Sequence, residues 1–147
     1  MTNKELINKY PWLLPRNRFT DKVDPNYDYS YTELDDMPDG WRAAFGEQMC
    51  EEINNELLTW EKEDYNEFRI LQIKEKYGEL RFYVNYSSHT LYEIIEKYTQ
   101  LSCKTCIQCG KPAKWISRGW IFPYCDDCLD PEKKKNIERY YEKIEEC

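Results

Sequence analysis

Four cysteines in the C-terminal third of the chain have the type and spacing of metal ligands. Cys106 and Cys109 form one C-x-x-C pair, and Cys125 and Cys128 form a second after fifteen intervening residues. Two thiolates separated by two residues can reach one metal ion, and Gly110 permits the backbone turn beneath the first pair. Zn²⁺ favours tetrahedral thiolate coordination, and four protein ligands leave no position for water or substrate. The spacing therefore predicts one structural Zn²⁺ held by all four cysteines.

A fifth cysteine leaves an alternative open for the first pair. Cys103 is also two residues away from Cys106, so Cys103 and Cys106 have the same C-x-x-C spacing. We favour Cys106 and Cys109 because Gly110 and Lys111 follow Cys109, as the turn under a metal-binding pair requires. Cys103 would then lie at the end of the preceding helix, near the metal.

The other cysteines indicate a reducing compartment. The chain has seven cysteines, an odd number, and its first 25 residues contain no apolar run of the kind found in a secretory signal. Both features weigh against a disulfide framework, and a redox role for a single C-x-x-C motif would not explain two pairs. Cys50 is expected to be a core thiol on a helix, and Cys147 a free thiol near the end of the chain.

Catalytic chemistry finds little support in the sequence. The single histidine, His89, lies in a polar turn before a predicted helix. No nucleophile elbow, phosphate-binding loop or dinucleotide-binding fingerprint is present. The sequence therefore predicts a protein that is not an enzyme.

The segment between the two cysteine pairs also has features of a nucleic-acid binder. Residues 103–124 contain no acid and mix cations with aromatic residues, namely Lys104, Lys111, Lys114, Arg118, Trp115, Trp120, Phe122 and Tyr124. Cations beside aromatic rings suit single strands. However, a zinc ion with four thiolates is itself net negative, and the chain carries a net charge of −7. Packing of these aromatics against the rest of the protein is the competing interpretation.

The middle of the chain is strongly acidic. Residues 24–67 contain fourteen acids and only two bases. Such a segment repels phosphate backbones and attracts basic partners, although it also fits a helix face kept soluble by charge. Tyrosines are interleaved nearby, because Tyr27, Tyr29 and Tyr31 alternate as they would on one side of a strand-like stretch. The candidate binding surface comprises Tyr27, Tyr29, Tyr31, Arg81, Tyr83, Lys114 and Arg118.

Hydrophobic periodicity predicts an α+β fold with a small antiparallel sheet packed with helices, plus a C-terminal zinc ribbon. Apolar residues recur every four positions from Trp41 to Leu57, which predicts a helix over 41–62. Further helices are expected at 90–102, with a capping box at Thr90, and at 131–145. Two strands joined by a turn at 76–78 are expected between them, with Leu71 and Ile73 on the core face. We expect a body over 1–102 with an irregular N-terminal segment, and a zinc ribbon with a C-terminal helix over 103–147, packed on the body.

Four segments resemble a group of small proteins from bacteriophages and prophages. They are Gln72–Tyr83 (QIKEKYGELRFY), Cys106–Pro112 (CIQCGKP), Gly119–Cys128 (GWIFPYCDDC) and Tyr31–Trp41 (YTELDDMPDGW). The resemblance covers roughly residues 8 to 130. It implies expression in the cytoplasm of a bacterial host, which agrees with reduced cysteines, but it implies no activity.

These observations favour a non-enzymatic zinc-binding accessory protein that binds a host or phage protein through an acidic, tyrosine-rich surface. The first alternative is a nucleic-acid-binding zinc ribbon, which the net charge disfavours. The second is a small-anion-binding protein that uses Arg81 and neighbouring tyrosines. No stretch approaches the ~18 apolar residues that a membrane span requires, so no membrane role is expected and the cytoplasm is the predicted location.

Overall fold

The computed structural model describes residues 1–145 and shows the expected α+β architecture with two small antiparallel sheets. The helices are α1 (Asn3–Lys9), α2 (Asp39–Trp41), α3 (Glu47–Leu57), α4 (Lys62–Glu67), α5 (His89–Ser102), α6 (Pro131–Lys134) and α7 (Ile137–Tyr140). The strands are β1 (Ile70–Lys76), β2 (Glu79–Val84), β3 (Trp115–Ser117), β4 (Pro123–Tyr124) and β5 (Tyr141–Lys143). Strands β1 and β2 form one sheet, and β4, β3 and β5 form the other in that order.

A long helical segment supplies much of the core. Helices α2 and α3 are joined by a π-helical stretch at Arg42–Gly46. The apolar residues four apart along this segment are all buried, namely Trp41, Phe45, Met49, Ile53 and Leu57. Residues four apart advance about 40° beyond a full turn of an α-helix, so a stripe with this spacing drifts around the axis. The wider π-turn reduces that drift and keeps the stripe on one side.

The helix predicted over 41–62 is wrong at its C-terminal end. It stops at Leu57, where the Thr59 hydroxyl donates a hydrogen bond to the carbonyl of Glu56, 2.7 Å away. A separate short helix, α4, then leads into the first strand. The sequence pattern does not reveal this break, because Trp60 continues the apolar spacing of the helix.

The hairpin β1–β2 forms as predicted, with Tyr77 and Gly78 in its two-residue turn at φ 54° and 77°. The predicted orientation of the β1 side chains is wrong at Leu71. The register shifts between Ile70 and Gln72, so Ile70 and Ile73 are buried while Leu71 is 45% exposed. A β-bulge inserts one extra residue and thereby changes which side chains reach the core.

Helix α5 packs on this hairpin and on α3. Its N-cap is Ser88, whose hydroxyl accepts a hydrogen bond from the Leu91 amide at 3.0 Å. The prediction of a capping box at Thr90 is therefore wrong, because the N-cap lies two residues earlier. Leu91 and Tyr98 are buried on the side of the helix that faces the core.

The helix predicted over 131–145 is also wrong. Asp130 does cap a helix at Pro131, but α6 ends at Lys134, α7 is a single turn, and the chain then becomes strand β5. This strand pairs with β3, so that Ser117 faces Tyr141 across the ladder. Main-chain pairing with a distant strand overrides the local helical pattern here.

The N-terminal segment has no strand where the tyrosines alternate. Tyr29 has φ 63°, and a turn joins the carbonyl of Asp24 to the amide of Tyr27. The strand-like reading of this stretch is therefore wrong. The three tyrosines come together through this turn instead of along an extended strand.

Candidate metal centre

The first cysteine pair sits on a tight turn that its own backbone stabilises. The Gly110 amide donates a hydrogen bond to the carbonyl of Cys106 at 3.0 Å, and the Cys106 amide donates to the carbonyl of Lys111 at 2.7 Å. Gly110 has φ 87°, a left-handed conformation that side chains with a Cβ rarely adopt. The expectation that this glycine makes the turn beneath the pair is confirmed.

The second pair lies on a 3₁₀ turn at Asp126–Cys128 that follows β4. Its shape is stabilised by Asp126, whose carboxylate accepts hydrogen bonds from the Trp115 indole and the Lys114 ammonium, both at 2.8 Å. The Cys128 amide donates to the carbonyl of Cys125 at 3.3 Å. The β3–β4 pairing brings this turn beside the first one.

The four sulfur atoms form one cluster. Those of Cys106, Cys109, Cys125 and Cys128 lie 3.5–3.8 Å from one another. A tetrahedral zinc site with Zn–S bonds of about 2.3 Å has sulfurs about 3.8 Å apart, so the spacing fits one zinc-sized ion. The cluster can hold a metal ion as the sequence predicted.

Backbone hydrogen bonds prepare one of these thiols for deprotonation. Burial alone raises the pKa of Cys106, but the backbone amides of Cys125, Cys109 and Gln108 donate toward its sulfur and lower that pKa to about 7. Hydrogen bonds to a charged form favour that form. A metal ligand must be a thiolate, so these amides favour the ligand state.

The cysteine-bearing turn is fitted directly against the start of the long helical segment. The Gly40 amide donates to the carbonyl of Ile107 at 2.9 Å, and the Trp41 indole donates to the carbonyl of Thr105 at 3.0 Å. A Cβ added at Gly40 would lie 2.2 Å from the Cys106 carbonyl oxygen, and one added at Gly110 would lie 2.6 Å from the Gly40 oxygen. Two glycines therefore allow the backbones to touch.

The structure separates the other cysteines from this cluster. Cys103 is half-buried at the end of α5, with its thiol 3.7 Å from the carbonyl of Thr99, so it does not take the place of Cys109 beside Cys106. Cys50 is buried in the core, and burial raises its pKa to about 12. Cys147, predicted to be a free thiol, lies outside the described residues.

The three predicted surface tyrosines form a small cluster near the N-terminus. The Tyr27 ring lies 5.0 Å from the Tyr29 ring and 5.5 Å from the Tyr31 ring, and its hydroxyl donates to the Tyr31 carbonyl. Asn3 donates to the Tyr29 carbonyl, and the Lys4 ammonium lies 5.7 Å from the Tyr29 ring centre. Tyr29 and Tyr31 remain exposed.

Arg81 and Tyr83 lie elsewhere, on strand β2. Arg81 is 3.4 Å from the Glu79 carboxylate, and its Nε is buried with no hydrogen-bond partner among the described residues. Tyr83 is exposed beside it on the strand. Across the described residues, no hydrogen bond, ion pair or ring contact joins this pair to the three tyrosines.

Three of the four cations in the ribbon, meaning residues 103–128, lie close to acids. Lys114 pairs with Asp126 at 2.8 Å, and Lys111 pairs with Asp127 at 3.1 Å. Arg118 donates to the Glu138 carbonyl at 3.2 Å and lies 3.9 Å from the Glu142 carboxylate. Sequence reading had counted the cations without these partners, because the two acids of the second turn follow the acid-free segment.

The acidic segment, in contrast, is mostly unmatched. Of its fourteen acids, only Glu33, Asp35 and Glu52 form ion pairs within the part of the chain that the structure describes. The exposed acids on and around α3 and α4 have none, namely Glu47, Glu51, Glu61, Glu63, Asp64 and Glu67. Exposed negative charge is therefore concentrated on and beside α3 and α4.

The residues that sequence reasoning missed are Gly40 and Asp126. Gly40 sits at the start of a helix, where a glycine normally weakens helix formation, and that conflict was the available signal of a close backbone approach. Asp126 lies between the two cysteines of the second pair, and its role depends on Trp115, whose position only the fold reveals.

Among residues 1–145, no helix is both long enough and apolar enough to cross a lipid bilayer. No protein-family model, curated protein or solved structure matches the chain. What the protein binds must therefore follow from its own residues.

Proposed function

We propose that the four-cysteine cluster holds one structural Zn²⁺ and that the chain is a non-enzymatic binding protein. The observation that carries the first part is the set of four sulfurs at tetrahedral spacing on two turns. Four protein ligands complete the coordination of zinc, so the ion cross-links the ribbon and contributes folding free energy. Its role is to hold the two turns together, with no chemistry on a substrate.

Metal content tests this part directly. Elemental analysis of the purified protein is expected to find one zinc per chain, and Cys106→Ser and Cys125→Ser are each expected to lose it. The matched control is Cys103→Ser, which removes a nearby thiol outside the cluster and should leave the zinc in place. Iron instead of zinc, or full zinc retention in Cys106→Ser, would contradict the assignment.

The acidic side of the molecule supports the second part. Eleven of the fourteen acids in residues 24–67 lack an ion-pair partner among the described residues, and six of these eleven are exposed on or beside α3 and α4. A dense field of one sign increases the association rate with a partner of opposite sign. We therefore propose a partner protein with a basic surface, and the resemblance to phage proteins suggests a host or phage protein in a bacterial cytoplasm.

The tyrosine cluster offers anchors for such a partner. Tyr29 and Tyr31 are exposed beside Asp28, and tyrosine is enriched among the residues that dominate binding energy at interfaces. The cluster is held in place by its own hydroxyl and ring contacts. Such rigid aromatic groups lose little conformational entropy on binding.

A salt series with a neutralised variant tests the partner hypothesis. The tagged protein is mixed with bacterial lysate at about 50 mM and about 300 mM salt, because screening shortens the reach of charge interactions over this range. The wild type should retain a basic protein at low salt only, and Glu47→Gln/Glu51→Gln/Glu63→Gln should retain much less of the same protein. Equal retention by both chains would exclude the acidic surface as the contact.

Nucleic-acid binding by the ribbon is the weaker candidate. Its predicted cations Lys114 and Lys111 are paired with the carboxylates of the second cysteine turn. Phosphate contacts by free cations supply most of the non-specific affinity for nucleic acids. Two of the ribbon's three lysines already face carboxylates, which reduces that contribution.

A further inference from the structure

An aromatic cleft lies between the ribbon and the C-terminal segment (residues 131–145), and none of its lining residues belongs to α3 or α4. Its volume is about 630 Å³. The aromatic residues along it are Trp120, Phe122, Tyr124, Tyr140 and Tyr141. Trp120 is 75% exposed, although tryptophan loses a large apolar area from water when it is buried. Tryptophan is enriched among the residues that dominate binding energy at interfaces, so this exposed indole is a candidate anchor.

The rings form a ridged row. Trp120 and Phe122 are 6.2 Å apart at 65°, Phe122 and Tyr124 are 6.3 Å apart at 85°, and Tyr124 and Tyr141 are 6.3 Å apart at 85°. Each ring therefore turns its edge to the next. Such a row offers hollows between rings, which suit compact saturated rings better than flat stacked bases.

The charge of the cleft is balanced. Arg118 and Lys133 line it together with Asp127 and Asp130, and the metal ligand Cys128 forms part of its wall. A polyanion gains no net attraction from such a lining, and the thiolates add negative charge. A ligand without net charge matches the cleft.

Hydrogen-bond donors lie at its edge. The Arg118 side chain is half exposed, and its guanidinium has N–H groups besides the Nε that donates to the Glu138 carbonyl. The Lys133 ammonium lies 5.8 Å from the Tyr140 ring centre. A polyproline II segment has no internal hydrogen bonds, so its carbonyls remain free to accept from such donors. Its fixed backbone also loses little entropy on docking into an aromatic groove.

From the ring geometry, the charge balance and these donors, we propose that this cleft binds a proline-rich segment of another protein in the polyproline II conformation. The pyrrolidine rings would fill the hollows beside Trp120 and Phe122. The site is separate from the acidic surface, so either can fail without the other. It does require a folded ribbon, since Cys128 lies in its wall.

The probe for this proposal is an acetylated, amidated peptide of about ten prolines, which adopts polyproline II in water. The ¹⁵N-labelled, zinc-loaded protein is titrated with it, and the Trp120 indole resonance is assigned from its loss in Trp120→Phe. A saturable shift centred on Trp120 and the neighbouring ring residues is expected. Trp120→Ala should weaken binding at least about tenfold, as loss of an anchor residue does.

Three controls decide the result. Phe19→Ala also removes an exposed aromatic, but one that does not line the cleft, so it should bind like the wild type. A Gly-Ser peptide of equal length should give no saturable shift. The zinc content of each variant is measured, so that loss of the ribbon fold is distinguished from loss of the contact.

The proposal is overturned if the proline peptide gives no saturable shift at millimolar concentration in zinc-loaded wild-type protein. It is also overturned if the Gly-Ser peptide shifts Trp120 equally. Tighter binding of an oligothymidylate of similar length would assign the cleft to single-stranded nucleic acid instead.

Discussion

At the scale of single residues, hydrogen bonding to sulfur distinguishes two buried cysteines, Cys106 and Cys50. The cluster thiols lie on hydrogen-bonded turns, and the pKa of Cys106 is lowered to about 7. Cys50, in contrast, is surrounded by core side chains, and desolvation raises its pKa to about 12. Only thiolates react readily with alkylating reagents. The same residue type can thereby serve as a metal ligand in one place and is an inert core group in the other.

This contrast predicts a pattern of alkylation. At pH 8 the Cys50 thiol stays protonated, because this pH lies far below its raised pKa, and it is expected to resist iodoacetamide in the native protein. The same residue should react fully once the chain is unfolded and the metal removed. Peptide mass spectrometry with native and unfolded samples measures this. Native-state modification of Cys50 at the unfolded rate would show that the thiol is not buried.

The glycines at the turns permit a graded test. Gly119 has φ 80° with open space around it, so Gly119→Ala carries only the backbone strain, about 1 kcal/mol. Gly110→Ala adds a contact with the Gly40 backbone and should cost at least about 2 kcal/mol. Denaturant midpoints of the zinc-loaded proteins measure both. Equal losses in the two variants would mean that the Gly40–Gly110 contact is relaxed in solution.

At the scale of elements, the sequence pattern correctly predicted the turns whose conformation depends on neighbouring residues. The two-residue turn at Tyr77 and Gly78 and the two cysteine turns follow from residue types a few positions apart. The prediction of a helix over 131–145 was wrong because Tyr141 lies in a strand, where it pairs with Ser117 on β3. The prediction that Leu71 faces the core was wrong for a similar reason, since a bulge in the pairing with β2 turns this side chain outward. Neither long-range pairing leaves a mark in the local sequence.

The pairing of β5 with β3 gives a prediction at this scale. Glu142→Pro removes the amide of the middle residue of β5 and should weaken the strand, because proline cannot donate to a sheet ladder. The ribbon is expected to lose stability while retaining its four ligands, so zinc affinity should fall without being abolished. Competition with a zinc chelator measures the affinity. The control is Glu138→Ala on the preceding short helix, and unchanged affinity in Glu142→Pro would show that β5 contributes nothing to the site.

At the scale of the whole molecule, charge is distributed unevenly. The chain has a net charge of −7, but residues 24–67 alone carry fourteen acids against two bases. Most of these acids have no ion-pair partner among the described residues, so they repel one another. This distribution could be predicted from sequence, whereas the pairing of Lys111 and Lys114 with Asp127 and Asp126 could not, since it depends on the meeting of two turns.

Self-repulsion predicts that salt stabilises the protein. Raising sodium chloride from about 20 mM to about 500 mM shortens the range of repulsion between the exposed acids and should raise the melting temperature of the zinc-loaded protein by several degrees. The triple variant Glu47→Gln/Glu51→Gln/Glu63→Gln should have a higher melting temperature at low salt, and its melting temperature should rise less as salt is added. Calorimetry at matched zinc content measures both, and a melting temperature that falls with salt would refute the repulsion.

The meeting of Gly40 and Gly110 has a consequence for how such a protein can change. The first cysteine turn fits only against a helix start that lacks a side chain, and the helix start fits only a turn that lacks one. The ribbon therefore cannot be moved freely to another protein. Grafting it would require a glycine at the position of the new protein that contacts the first cysteine turn. In related chains, positions 40 and 110 should vary together or not at all, so this pair can serve as a marker of shared ancestry.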